Sequence, residues 1–185
     1  MRRWCLAAAA VGLLVGCEAD SGKPGPGKAR AGSDVELTEA TAATIVRAVR
    51  ERKGSVVLVD FWATWCGPCV ERFPHLVGLH QKYADLGLVC VSINIEDQEN
   101  RDAVREFLTR HKATFPNFLV TDFDTPEGRR ALAERFGLGG AIPFMAVFDR
   151  DGKRVWAGPG SQMSPASLDG LIAREIDRKA TPEGR

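Results

Sequence analysis

The 185-residue chain has a formal net charge of +1 and is 44% hydrophobic. That apolar share suits a chain with a buried core and excludes a wholly disordered protein. Near-zero charge gives no case for a nucleic-acid or anionic-membrane partner, and with acids and bases interspersed no block of like charge reads as a binding tail.

The first residues read as an export signal. Arg2 and Arg3 precede an uncharged apolar run from Trp4 to Gly16. A run of about 13 residues lies within the signal-peptide range and falls short of the roughly 20 needed to span a bilayer. It ends in Leu14-Val15-Gly16-Cys17, which resembles a bacterial lipobox. That resemblance implies a lipoprotein signal peptide over residues 1–16, cut after the small Gly16, with Cys17 as the lipidated residue. Loss of Arg2 and Arg3 would leave 23 basic against 24 acidic residues, a side-chain charge of −1. Acyl chains, at about 0.8 kcal/mol per buried methylene, would hold the mature chain on a membrane. Residues 18–33 are rich in glycine, proline and charge and contain no large apolar side chain. Together with Cys17 they are expected to form a flexible tether over 17–33.

A folded domain is expected over residues 34–180, with a disordered tail at 181–185. Val35 and Leu37 alternate with Glu36, a short edge-strand signal. Thr38 can cap a helix whose apolar positions are Ala42, Ile45, Val46 and Val49, ended by Gly54. Ser55 to Trp62 is an almost continuous apolar run containing Asp60, which reads as a buried central strand. A helix follows from Cys66 to about Tyr83, with Pro74 as a kink point and Gly87 closing the segment. Leu88 to Ile95 is a second buried strand. Asp97 or Asn100 opens a helix with a stripe of Ala103, Val104, Phe107 and Leu108. Asn117 to Thr121 is a short strand.

Thr125-Pro126 starts a helix to Phe136 that turns Leu132, Ala133 and Phe136 inward. Phe144 to Phe148 and Lys153 to Ala157 form a hairpin about Arg150-Asp151-Gly152. Ser164-Pro165 caps a last helix carrying Leu168, Leu171, Ile172 and Ile176. Helices alternating with strands, with one late hairpin, predict an α/β domain: a central mixed sheet flanked by helices on both faces.

The chemistry-bearing segment is Val59-Asp60-Phe61-Trp62-Ala63-Thr64-Trp65-Cys66-Gly67-Pro68-Cys69. Two spacer residues bring both sulfurs within disulfide reach across one helical turn. The first cysteine sits at a helix N-terminus, where free N–H groups and the dipole favour a thiolate. A lone C-x-x-C is ambiguous between redox and zinc chemistry. A structural zinc needs four ligands, and the sequence offers no second cysteine pair. Cys5 lies in the signal peptide, Cys90 in a buried strand, and His75, His80 and His111 are scattered over predicted helices as surface residues. No metal and no cofactor is expected.

The same segment resembles the active site of the thioredoxin superfamily, and the similarity runs along nearly the whole domain. Val35-Glu36-Leu37-Thr38 with the following helix resembles its start. Phe136-Gly137 through Ile142-Pro143, then strand, Asp151-Gly152 and strand, resembles its end. An extra helix and strand between Ile95 and about Ala131, with the export signal, resemble the TlpA/ResA-like branch of exported thiol–disulfide oxidoreductases. The resemblance implies a thioredoxin fold with a helix–strand insertion before a cis-proline.

It further implies Cys66 as the exposed attacking nucleophile, Cys69 as the resolving thiol, and Gly67 and Pro68 as the turn that tunes the redox potential. Asp60 would be a buried acid moving a proton to or from Cys69; as a bare strand-end acid it would instead face solvent. Trp62 and Trp65 would wall the site. Pro143 would be the cis-proline, and Ile142 before it would offer backbone groups to an extended substrate. Phe144, where relatives often carry threonine, would enlarge the apolar surface near the site. Relatives often place a glutamate of the inserted segment close to the disulfide; Glu96 and Glu99 are candidates by position alone.

The activity so implied is reduction of disulfides in exported proteins, for example during cytochrome c maturation, with a membrane thiol donor returning the electrons. The chain would be a monomer on the bacterial cell envelope, lipid-anchored and facing the periplasm or exterior. Competing readings are a net oxidant or isomerase, a copper-binding chaperone of the same fold, and a domain with a static disulfide.

Overall fold

The computed structural model describes residues 35–178. The expected signal peptide, Cys17, the tether and the tail at 181–185 lie outside the described residues. Eleven principal elements follow one another: β1 (Leu37–Ala40), α1 (Ala42–Arg50), β2 (Val56–Trp62), α2 (Gly67–Tyr83), β3 (Leu88–Asn94), α3 (Arg101–Arg110), β4 (Asn117–Val120), α4 (Pro126–Phe136), β5 (Phe144–Phe148), β6 (Arg154–Pro159) and α5 (Pro165–Asp177). They build one six-stranded sheet in the order β1-β4-β3-β2-β5-β6. β1, β4, β3 and β2 run parallel, and β5 and β6 are antiparallel additions.

β2 is buried along its whole length because both of its faces are covered. Side chains alternate across a strand, so Leu58, Asp60 and Trp62 point to one layer and Val57, Val59 and Phe61 to the other. The first layer holds α2, α3 and α5 through Phe73, Leu76, Val104, Phe107, Leu168 and Ile172. The second holds α1 and α4 through Ile45, Val49, Leu132 and Phe136. An aromatic group made of Trp62, Phe73 and Phe107, with ring centroids 4.7–5.0 Å apart, joins β2, α2 and α3. Such pairs contribute about 0.5–1.5 kcal/mol each beyond the area they bury.

Several boundaries shift from the sequence expectation. β1 lies two residues later than the Val35–Leu37 alternation suggests, because its ladder with β4 pairs Leu37 with Asn117 and Ala40 with Val120. That ladder takes up Thr38, and Thr41 caps α1 instead, accepting from the Thr44 amide. Asp122 Oδ1 also accepts from the Ala42 amide at 2.7 Å. Ala103 and Ala133, assigned to inward stripes, are exposed. Val104, Phe107 and Leu108, and Leu132 and Phe136, carry those contacts, and a methyl group gives too little burial energy to fix its face. α2 continues through Pro74 as one helix. β6 extends to Pro159 because Met145 pairs with Gly158 and Phe144 with Pro159.

The inserted segment supplies α3 and β4, and β4 enters the sheet between β1 and β3. One side chain secures it. The Asn117 amide nitrogen donates towards the carbonyls of Glu36, Ala113 and Phe115 at 3.1, 2.9 and 2.7 Å. Its Oδ1 accepts from the Ser92 hydroxyl on β3 at 2.8 Å. No helix among the described residues is long and apolar enough to cross a membrane.

Candidate active site

β2 runs to Trp62, a short turn follows, and Cys66 occupies the N-cap of α2 in an extended conformation. Pro68 falls in the first turn of that helix, where a missing N–H costs nothing. The Cys69 and Val70 amides donate to the Cys66 carbonyl at 2.9 and 3.0 Å, which closes the first turn. Cys66 and Cys69 form a disulfide with their Cα atoms 5.2 Å apart. In this oxidised state Cys66 is 6% exposed and Cys69 1% exposed. The expectation of an exposed Cys66 is thus corrected. Bonded to a buried partner one turn inside, its sulfur cannot project outward.

Around the pair the structure separates residues that the sequence had grouped. Trp65 stands 67% exposed beside Cys66. Trp62 does not wall the site: it is fully buried in the aromatic group beneath it. The Ile142–Pro143 bond is cis, both residues are half-buried, and the Pro143 carbonyl accepts from the Gly160 amide at 2.9 Å. Phe144 pairs with Phe61 across β2 and β5. The preceding Ile142 and Pro143 therefore lie at the same end of the sheet as Cys66. Phe144 itself adds no apolar surface there. Its ring is buried in the opposite layer, 6.1 Å from that of Phe61.

Asp60 is 4% exposed, so the solvent-facing alternative does not hold. It sits on β2 opposite Ser92 and Met145 and points to the α2 side. Burial pushes its carboxyl up from 3.8 to about 7, against the opposing pull of the Arg72 cation. Asp60 lines a small cavity with Leu58, Arg72, His75, Leu76, Met145 and Leu168.

Glu96 and Glu99, equivalent in the sequence, part company. Glu99 is exposed, whereas Glu96 is 5% exposed and its carboxylate accepts from the Thr64 amide two residues before Cys66. The Glu96 amide in turn donates to Asn94 Oδ1 at 2.9 Å. An acid of the inserted segment thereby pins the turn that leads to the cysteines.

The three histidines are half-buried rather than on the open surface. His80 packs edge-on to Phe115 and His111 lies against Phe107. Burial lowers the pKa of all three. No group of three or more metal-ligating side chains occurs among the described residues. Cys90 is buried on β3, and desolvation drives its thiol pKa up.

Sequence reasoning passed over Arg72, Met145 and Gly160. Arg72 lies three residues after Cys69 and four before Leu76, on the inward side of α2, and a charge at such a position is the signal that could have flagged it.

Two sulfurs that bond across the first turn of a helix can take up and release an electron pair by exchange with another disulfide. The sheet that presents them has the thioredoxin arrangement, and the protein is a thioredoxin-like thiol–disulfide oxidoreductase. Its sequence matches the Redoxin family profile over residues 27–172, and the chain belongs to that family.

It is 28% identical over 134 residues to the thiol-disulfide oxidoreductase ResA of Bacillus thuringiensis, covering 72% of this chain and 68% of that one. ResA of Bacillus subtilis is 34% identical over 70 residues, 38% of either chain. Among solved structures, a thiol:disulfide interchange protein of the thioredoxin family from Chlorobium tepidum superimposes with a TM-score of 0.56 at 27% identity. That match covers 68% of this chain and 82% of the other. Substrates of such an enzyme are disulfide-containing proteins.

Proposed function

We propose that the enzyme runs as a reductase of disulfides in exported proteins, such as cytochrome c precursors before haem attachment. The observation that carries this reading is the Gly67-Pro68 spacer between the two cysteines. The Gly-Pro spacer resembles that of thioredoxin, whose couple lies at about −270 mV against about −120 mV for the oxidant DsbA.

In the proposed cycle the Cys66 thiolate attacks a substrate disulfide and expels one substrate thiolate, leaving a mixed disulfide on Cys66. Asp60, as carboxylate, takes the proton of the Cys69 thiol. The Cys69 thiolate then attacks the Cys66 sulfur, the mixed bond breaks, and the second substrate thiolate leaves. The substrate gains two electrons, and the enzyme ends with the Cys66–Cys69 disulfide and a protonated Asp60. Burial of Asp60 supports this role, since a carboxyl with a pKa near 7 both accepts and returns a proton at neutral pH.

Gly67 and Pro68 shape the turn, Trp65 offers an apolar contact beside Cys66, and Ile142 before Pro143 presents backbone groups to an extended substrate segment. The chain acts as a monomer without cofactor or nucleic acid. Cys17 holds it by lipid to a membrane of the bacterial envelope, facing the periplasm or exterior, and a membrane thiol donor re-reduces it. The Leu14-Val15-Gly16-Cys17 pattern behind an uncharged apolar run supports that placement.

Equilibration of the Cys66/Cys69 couple with a glutathione or dithiothreitol buffer tests the direction. A potential towards the thioredoxin end, about −270 mV, is expected. A value towards about −120 mV would make the protein a net oxidant and overturn the reductase reading.

A further inference from the structure

Arg72 has an unusual setting for an arginine. It leaves α2 one turn after Cys69 and reaches into the same cavity as Asp60. Its Nη2 meets the sulfur of Met145, the residue opposite Asp60 in the β2–β5 ladder. Its Nη1 is buried with no hydrogen-bond partner. A guanidinium normally finds carboxylates or carbonyls when it leaves water. Here it has a thioether and a carboxyl it does not directly bond, and leaving a buried donor unpaired is a cost the fold has accepted at this position.

The fold also clears room for it. A Cβ built on Gly160 would stand 1.3 Å from Arg72 Nη1 and 3.3 Å from the Pro143 side chain. Gly160, which bonds the Pro143 carbonyl, thus leaves the space that the guanidinium fills.

We infer that Arg72 is a positioning residue for the proton step: held between Met145 and Gly160, its fixed charge sets the pH at which buried Asp60 can act as a base towards Cys69. The inference rests on the proton-carrying role proposed above for Asp60. Electrostatics give the sign. A buried carboxyl resists ionisation, and a nearby cation recovers part of that cost. The Arg72 cation lowers the Asp60 pKa against the upward push of desolvation. Without it the carboxylate forms only at higher pH, and the resolving step loses its base at neutral pH.

The other groups facing Asp60 do not supply this charge. On α2, His75 also lines the cavity, and burial together with Arg72 favours its neutral form. On β3, Cys90 is a buried thiol kept protonated. α5 contributes Leu168 and β5 contributes Met145, both uncharged. Asp169 of α5 is engaged by Tyr83 and Lys82.

The test follows the Asp60 carboxyl by carbon-13 NMR over pH 5–9 in the folded protein, beside the pH dependence of single-turnover reduction of a peptide disulfide. Arg72→Met is expected to move both midpoints upward by at least about half a pH unit. Arg72→Lys should hold them near the parent value. Gly160→Ala keeps the arginine but displaces its head, and should shift them in the same direction as Arg72→Met. The shift must persist when His75→Asn is added, so that titration of His75 is not its source.

Asp60→Asn separates the two claims. If it leaves the rate profile unchanged, the proton-carrying role falls, and this inference with it. If Asp60→Asn abolishes the titrating limb while Arg72→Met leaves the Asp60 midpoint in place, the role stands and the assignment to Arg72 is overturned.

Discussion

At Asp60, burial makes the stability of the fold depend on pH. Its carboxyl ordinarily titrates at 3.8 and does so at about 7 in the folded chain. Below the lower value both states are protonated and the group carries no penalty. As pH rises through the interval to about 7 the unfolded chain ionises first, so folding loses free energy, and above about 7 the loss is complete. Asp60→Asn removes the effect. The variant should be more stable than the parent at pH 8, by up to about 4 kcal/mol, and nearly equal to it below pH 4. Urea unfolding at the two pH values measures this, and an equal difference at both would contradict it.

At this scale the C-x-x-C pair and Asp60 were legible because they sit close together in sequence, on one strand, turn and helix start. Arg72 and Met145 were not. Their meeting depends on α2 lying over β2 while β5 pairs antiparallel beside it, and no local pattern encodes that. Glu96 could be named by position only, because choosing between it and Glu99 needs the contact with the Thr64 amide.

Among the elements, the central strands read clearly as apolar runs, and the Thr-Pro and Ser-Pro helix starts at Thr125 and Ser164 carry their caps as the sequence suggests. The edges were less legible. Thr38 and Thr41 are equally good caps, and only the pairing of β1 with β4 decides between them.

β4 owes its place to Asn117 more than to any apolar pattern. Its amide group spans the residue before β1, the turn after α3, and Ser92 on β3. Asn117→Ala would strand several of those buried groups, at a cost of about 2–4 kcal/mol. A lower urea midpoint with an unchanged denaturant slope is the expected result. A change below about 0.5 kcal/mol would show that water or neighbouring groups replace the amide.

Taken as a whole, the molecule places its electron-carrying sulfurs where the two-layered sheet ends and a helix begins. One layer of α2, α3 and α5 packs beneath them. Helices alternating with strands made the layered class legible. The strand order was not, because β4 pairs with β1 and β3 across long stretches of chain, and register over that distance is set by packing.

The proposed cycle turns on a division of labour between two sulfurs: Cys66 is proposed to meet the substrate, and Cys69 to release it. Incubating the reduced Cys69→Ser and Cys66→Ser variants with a disulfide substrate, then separating the products without reductant, tests that division. Cys69→Ser should accumulate a stable mixed disulfide through Cys66, while Cys66→Ser accumulates none. Equal trapping by both variants, or trapping through Cys69 alone, would contradict it.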